Sequence, residues 1–394
     1  MEDLVTVRPT LNYVRLAELA IDGQIPYGIV QPGTHVDDGV PIVRVGDIRN
    51  GTINTANPLR VDRRIAATYS RTILRGGELL ISLVGTVGEC AVVPEELVGW
   101  NVARAVAVVR PEGISSHWMR FCLALPEVRH RLQSVLNTTV QATLNLSDLK
   151  ALEIPVGDAA TMKALVRVMG ALDDKIAANA KLARTADELA GAIFLSMLGE
   201  TESLPLTDVA QFVNGRAFTK GACGTGRVVI RIAELNSGIG GSTVYSDIEP
   251  EEKYFARPGD LLFAWSGSLT LRRWFRPEGI VNQHIFKVMP FDAYPLWLVH
   301  GLLARKLDAF KAIAADKATT MGHIQRRHLD EAVDVPVRSA VEGYDPIMSA
   351  LWQRALGAEQ ENLTLGATRD ALLPHLMSGR LRVRDAEKAV EEVL

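Results

Sequence analysis

The sequence predicts an α/β (α+β) chain built from two duplicated globular domains, each followed by a long α-helix. Three observations carry this prediction. The phrase RGGELLISLVGTV at 75–87 returns as RPGDLLFAWSGSL at 257–269, 182 residues further on. Within each copy, short β-rich runs alternate with Gly and Pro punctuation. After each copy, apolar residues recur at steps of three or four over nearly 40 residues, which is a helical period. With 394 residues and 47% of them apolar, the chain can bury a core in each of two or three domains.

The repeat extends outward from that phrase. LAELA (16–20) answers VAQFV (209–213), and VRVGDIRNG (43–51) answers IRIAELNSG (230–238). Asn101 is expected to match Asn282, each opening an apolar run, and TTVQATLNLSDLKALEIPV (138–156) to match TTMGHIQRRHLDEAVDVPV (319–337). The offset drifts along the chain, so a shared scaffold carries loops of different length, and such loops are where binding specificity usually sits. A period near 180 residues is too long for a solenoid and indicates a domain duplication. The expected division is a first domain over 1–157, a first long helix over 158–200, a second domain over 201–338, a second long helix over 339–382, and a tail over 383–394.

The first helical stripe runs through Leu165, Met169, Leu172, Ile176, Asn179, Leu182, Ala186, Leu189, Ile193 and Met197. The second runs through Ile347, Leu351, Ala355, Ala358, Asn362, Leu365, Leu372 and Leu376. One Asn in an apolar seam lowers stability but fixes register, so Asn179 and Asn362 would help two helices choose one alignment. The competing reading packs each helix on its own domain. A helix of this length spans about 55–60 Å, more than one turn of DNA, about 34–36 Å.

Three cysteines, Cys90, Cys122 and Cys223, lie far apart without CxxC spacing, which points to a reducing interior. MEDLVTVRPT has no signal-peptide pattern, and nowhere do about 18 apolar residues run together. A soluble, cytoplasmic protein without a membrane partner is expected. The net charge of −3 gives no general sign of a polyanion partner, but 60–75 holds five arginines against one aspartate, and LRRWFR (271–276) and QRRH (325–328) are further basic knots. Each could also be a solvated face.

Reactive signatures are absent. GACGTGR (221–227) and VGTVGE (84–89) fit neither the P-loop nor the dinucleotide-binding spacing. WSGS (265–268) is not a GxSxG nucleophile elbow. His323 and His328 lack a zinc-binding pattern, and no DPPY or NPPF tetrapeptide of an amino-methyltransferase is present. A metal-dependent nuclease around Asp247, Glu251 and Lys253 is the remote catalytic alternative. A non-catalytic protein–protein scaffold with a helical dimerisation spacer is the alternative from another class.

Five motifs in order over the duplicated frame carry a resemblance: ALDDKIAANAKL (171–182), NGRAFTK (214–220), GDLLFAWSGSL (259–269), NQHIFKV (282–288) and RDALLPHLMSGRL (369–381). In these the chain resembles the specificity subunit of type I restriction-modification systems, from about residue 11 to about residue 384. The resemblance implies that the globular domains are target recognition domains, each reading half of a bipartite sequence in double-stranded DNA. It implies an antiparallel coiled-coil pair of helices that sets the gap and docks two methyltransferase subunits, which restriction/translocase subunits join. S-adenosylmethionine and ATP are then expected on the partner subunits, with no cofactor and no metal on this chain.

Arg and Lys suit phosphates and guanine edges, Asn and Gln suit adenine, and Ser and Thr serve either. The DNA-contacting residues expected in the first domain are Arg44, Arg49, Arg63, Arg64, Thr86, Arg104, Thr139 and Gln141. In the second they are Arg216, Lys220, Arg231, Ser266, Ser268, Arg272, Arg273, His323, Gln325 and Arg326. Asn101 and Asn282 could instead cap turns, and Arg231 could lie in a salt bridge. The first copy departs from the family pattern where DGQIPYGIVQPGTHVDDG, with Tyr27, replaces the NGRAFTK-like stretch.

Overall fold

The computed structural model describes residues 11–49, 51–136, 142–316 and 322–394. They form two compact units, the first made of the described residues up to Asp173 together with Ala367–Leu394 and the second of those in Asp174–Gly366. The division runs through both long helices, which the sequence reading sets apart as segments of their own.

The repeated phrase is a turn, a strand and a second turn. In each copy the arginine amide donates to the carboxylate three residues on, Arg75 N to Glu78 Oε1 at 2.8 Å and Arg257 N to Asp260 Oδ2 at 2.7 Å. The intervening Gly77 and Gly259 have φ of 79° and 100°, a left-handed backbone that explains the glycine. The strands Leu79–Ser82 and Leu261–Ala264 are buried along their whole length, which is why Leu-Leu replaces the alternation of a one-sided strand.

In the first unit Leu79–Ser82 lies between Cys90–Val92 and Val106–Val109, antiparallel to both. A second sheet orders Leu59–Val61, Val40–Val43 and Asn101–Val102, its last pair parallel. The second unit repeats both sheets with four strands each. One orders Ala210–Asn214, Ile285–Pro290, Leu261–Ala264 and Thr270–Arg273; the other orders Tyr245–Ser246, Arg227–Ile230, Gly279–Val281 and Phe255–Ala256. Each unit also pairs its first strand with the strand that precedes a long helix, Asn12–Arg15 with Glu153–Val156 and Thr201–Pro205 with Ala332–Pro336.

Matching hydrogen bonds fix which residues are equivalent. Ala103 N donates to Val43 O as Asn282 N donates to Ile230 O, so Asn282 answers Ala103 and the expected match with Asn101 is two residues out of step. Asn101 is buried and accepts from Thr72 Oγ1 at 2.6 Å. Val84 bridges Thr143 as Ser266 bridges His323, so the alignment of 138–156 with 319–337 slips by one residue at this point.

VRVGDI and IRIAEL, by contrast, match as read through a shared clamp, after which the first copy turns into the strand Ile48–Arg49 while the second continues in the helix Ile232–Ser237. Arg44 donates to Asp47 through its amide (2.8 Å), Nε (3.0 Å) and Nη2 (3.0 Å). Arg231 repeats this with Glu234 at 3.0, 3.0 and 2.7 Å. Both carboxylates are buried. The hydrogen bonds raise the pKa of each arginine. Burial works against the Glu234 charge, but the Arg231 bonds outweigh it and hold the carboxyl below its ordinary 4.5.

The sequence suggests one helical stretch in HWMRFCLALPEVRHRLQSVL, but Pro126 opens a second helix, giving Ser116–Ala124 and Pro126–Ser134. The counterpart Leu296–Asp316 is unbroken. The segment read as a tail contains a helix, Val383–Glu391, with Ala386 and Val390 buried.

The long helices are Ala159–Ser196 and Arg338–Met377. Within the second unit they meet through Ala183, Ala186, Ala355 and Ala358. Asn179 Nδ2 donates to Glu361 Oε2 at 2.8 Å, and Asn362 Nδ2 to Ile176 O at 3.1 Å. In the first unit Arg369 Nη1 donates to Asp173 Oδ1 at 2.9 Å. Leu189 and Ile347, expected in the stripes, are 46% and 47% exposed, and Leu373 is buried where Leu372 is only half-buried.

Two predictions follow from these buried charges. Glu234→Ala leaves Arg231 without its partner and should cost about 2 kcal/mol in urea unfolding, whereas Lys220→Ala at an exposed site should change stability by less than about 0.5 kcal/mol. His300 lies against the Trp352 ring, centroids 5.4 Å apart, near Asp187, Arg273 and Arg272. Burial pushes its pKa from 6.5 down to about 4. The unfolded chain therefore takes up the proton first as pH falls, and stability present above pH 6.5 should drop by about 3 kcal/mol by pH 4. Thermal melting across this window should show a shallower slope for His300→Leu.

Candidate nucleic-acid interface

In the second unit four segments converge on one rim: 214–220, 265–268, 282–285 and 322–326. Backbone hydrogen bonds join them, Trp265 N to His284 O (3.1 Å), Ile324 N to Trp265 O (3.1 Å), Gly267 N to Gly322 O (2.9 Å) and Gln283 N to Arg216 O (2.9 Å). Gly215 lies so close to the carbonyls of Val281 and Asn282 that a Cβ would overlap both. Asn282 Oδ1 accepts from Phe218 N at 3.0 Å and ties the NGRAFTK loop to the strand end.

The expected residues Arg216, Ser266, Ser268, His323 and Gln325 are therefore brought together, with Lys220 and Arg326 on the same loops. Arg216, Lys220, Ser268, Gln325 and Arg326 are exposed. The Arg216 guanidinium lies 5.0 Å from the Tyr254 ring centroid and 3.9 Å from Glu251. Ser268 Oγ accepts from Asn236 Nδ2 at 2.7 Å. Ser266 is buried in its bridge to His323, so its role is to build the rim.

Arg273 is a correction. Its side chain is 5% exposed, and it donates to Glu359 Oε2 (2.9 Å) and to both Asp187 oxygens (3.2 Å). Burial works against this charge, but the pairs with Glu359 and Asp187 outweigh it and raise the pKa. Its neighbour Arg272 is exposed, because successive strand residues point to opposite faces. Arg231, clamped on Glu234 and donating to Ser242 O at 2.6 Å, takes the salt-bridge alternative.

The first unit builds its rim from the equivalent segments. Arg104 N donates to Ile29 O (2.8 Å), Leu83 N to Ala105 O (2.8 Å), Leu144 N to Leu83 O (2.8 Å) and Gly85 N to Ala142 O (3.3 Å). Gly28 repeats the close approach of Gly215, here to Val102 and Ala103. Tyr27-Gly28-Ile29 is thus the counterpart of Asn214-Gly215-Arg216, and the first unit has Ile29 where the second has Arg216. Thr86 and Arg104 are exposed on this rim; Thr139 and Gln141 lie outside the described residues. The other arginines stand on other segments. Arg44 is clamped on Asp47, Arg49 is exposed in the hairpin of Ile48–Arg49 with Thr52–Ile53, and Arg63 Nε donates to Asp38 O at 3.1 Å. Arg64 is the second residue of the helix Arg63–Thr68, with its side chain exposed.

Sequence reading missed Trp265, His284 and Asn214. Trp265 Nε1 donates to Asn214 Oδ1 at 2.9 Å, and its ring lies 5.2 Å from His284 and 6.3 Å from His323. The available signal was the Trp inside the repeated phrase, where the first copy has Leu83. Among the described residues, no group of three or more His, Cys, Asp or Glu could hold a metal ion. No helix among them is long and apolar enough to cross a membrane.

No protein-family model matches the chain. Over 143 residues, 36% of this chain, it is 32% identical to the specificity subunit of the type I restriction enzyme EcoBI from Escherichia coli; that stretch spans 30% of the relative's length. The crystal structure of a type I restriction-modification S subunit from M. genitalium matches over 93% of this chain and 96% of its own, at 13% identity and a TM-score of 0.52. The HsdS subunit from Thermoanaerobacter tengcongensis matches over 95% and 98%, at 17% identity and a TM-score of 0.38. In sequence over about a third of its length the chain resembles the EcoBI specificity subunit, and in fold over nearly all of it the type I restriction-modification S subunit from M. genitalium.

Proposed function

We propose that the chain is the DNA sequence-specificity subunit of a type I restriction-modification complex, each globular unit reading one half of a bipartite target. The observation that carries this reading is one scaffold built twice, with the same Arg–carboxylate clamp and turn–strand–turn, under two rims of different side chains. A protein needing one surface twice would repeat its rim; a protein reading two different half-sites repeats the frame and varies the rim.

The two long helices then act as an antiparallel coiled-coil ruler that sets the gap and docks two methyltransferase subunits, with restriction/translocase subunits completing the complex. Methyl transfer and DNA translocation belong to those partners, with their S-adenosylmethionine and ATP, and the chain itself is non-catalytic. Phosphate neutralisation by residues such as Lys220 and Arg326 would position the duplex, so affinity should fall steeply with salt. A protein–protein scaffold would show no such slope.

The first test is single-molecule sequencing of methylated adenines in cells carrying this gene with its methyltransferase gene. A split motif should be present and should vanish when only this gene is deleted; an unchanged methylome refutes the proposal. Inserting two helical turns into each long helix should lengthen the gap and leave both half-sites unchanged. Altered half-sites would mean that the helices do not act as a ruler.

A further inference from the structure

The left-handed backbone of His284 is not required by the fold. Among the described residues only Asp22 and His284 have positive φ without being glycine. Aspartate adopts this conformation readily through local hydrogen bonding. His284, at φ 72°, sits in the turn Gln283-His284 between the strands Gly279–Val281 and Ile285–Pro290. The first unit makes the equivalent turn with Arg104-Ala105, and Ala105 does not have positive φ. A strained residue where the scaffold offers an unstrained solution points to a function of the side chain.

The surroundings of that side chain belong to the second unit alone. Its ring lies 5.2 Å from Trp265, which is fixed in turn by Asn214 and flanked by Phe286 at 5.8 Å and His323 at 6.3 Å. At the positions of Asn214, Trp265, His284 and His323 the first unit has Tyr27, Leu83, Ala105 and Thr143. The His284 ring is only partly buried, yet its Nδ1 is sealed from solvent without a hydrogen-bond partner. Nδ1 is thus closed to a ligand, which leaves Nε2 as the ring nitrogen able to meet one, as a donor when it carries the proton.

We infer that His284, braced by Trp265, is a specificity-determining residue of the second unit, presenting its Nε2–H to an acceptor on a base edge. The acceptors open to such a donor in the major groove are purine N7, guanine O6 and thymine O4. This rests on the reading of the rim as a DNA-recognition surface. A donor at a fixed rim position discriminates between bases, whereas the exposed cationic side chains of Lys220 and Arg326 suit phosphates.

The test compares the methylomes of cells carrying the full complex with wild-type, His284→Gly, His284→Asn or Trp265→Leu subunits, alongside the melting temperatures of the purified complexes. Glycine removes the ring and accepts the left-handed backbone, so H284G should melt no lower than wild type. It should lose about tenfold in discrimination at one or two positions of one half-site, with the other half-site unchanged. H284N keeps a side-chain N–H at a residue tolerant of this φ and should recover part of the loss, and W265L should relax the same half-site. Unchanged half-sites in H284G overturn the inference alone. Equal weakening at all sequences, with the motif intact, assigns the donor to a phosphate and also overturns it. A wild-type complex that yields no split motif overturns the reading of the rim itself.

Discussion

A crossing of two backbones that leaves no space for a side chain sets the rim in both units. At Gly28 and at Gly215 the chain passes directly over the carbonyls that end a parallel strand, Val102 and Ala103 in one unit and Val281 and Asn282 in the other. Any Cβ there must push the strand away and break the hydrogen bonds beside it, Gly28 N to Val106 O and Gly215 N to Ile285 O. The segment that follows each glycine is thereby pinned beside the strand-to-strand turn. The two rims can differ in every exposed side chain because this crossing, and not those side chains, fixes their course.

The Arg44–Asp47 and Arg231–Glu234 clamps solve a related problem. Each closes a short helical turn straight after the parallel strand that pairs with the crossed one. A buried carboxylate is tolerated only when its charge and lone pairs are satisfied, and one guanidinium with one backbone amide does both. The cost of losing either partner explains why both copies retain the arrangement while Asp changes to Glu. It also engages Arg44 and Arg231 within their own units, while Arg216, Lys220 and Arg326 stand exposed on the second rim.

Local chemistry made the repeated phrase legible in the sequence, although the helix break at Pro126 was passed over. The turn–strand–turn phrase has a left-handed glycine, an acid that caps the turn and a strand buried on both faces, and each leaves a residue-type signature. Sequence reading failed where geometry depends on register. Asn101 and Asn282 look equivalent because each precedes an apolar run, but a two-residue shift puts Asn101 in the core against Thr72 and Asn282 at the rim against Phe218. Arg272 and Arg273 form one basic knot in the sequence, yet strand alternation sends one to solvent and the other between Asp187 and Glu359. Leu189 and Ile347 fit a helical period but fall outside the faces that pack, since a period gives the width of a stripe and not which of its edges is covered.

The helices show how few groups are needed to select an alignment. Four alanines let the backbones approach within the second unit without specifying register, because small apolar side chains pack almost equally well when shifted by a turn. The polar contacts break that degeneracy. Asn362 donates to the carbonyl of Ile176, a group already engaged in helical hydrogen bonding, and its own Oδ1 is sealed without a partner. Asn179 takes Glu361, whose second oxygen lies 3.1 Å from Lys175. Sliding one helix by a turn would strand these buried groups while leaving the alanine contacts nearly intact, so alignment rests on polar penalties more than on apolar gain. The same logic applies at the rim, where His284 keeps an unsatisfied nitrogen and a left-handed backbone.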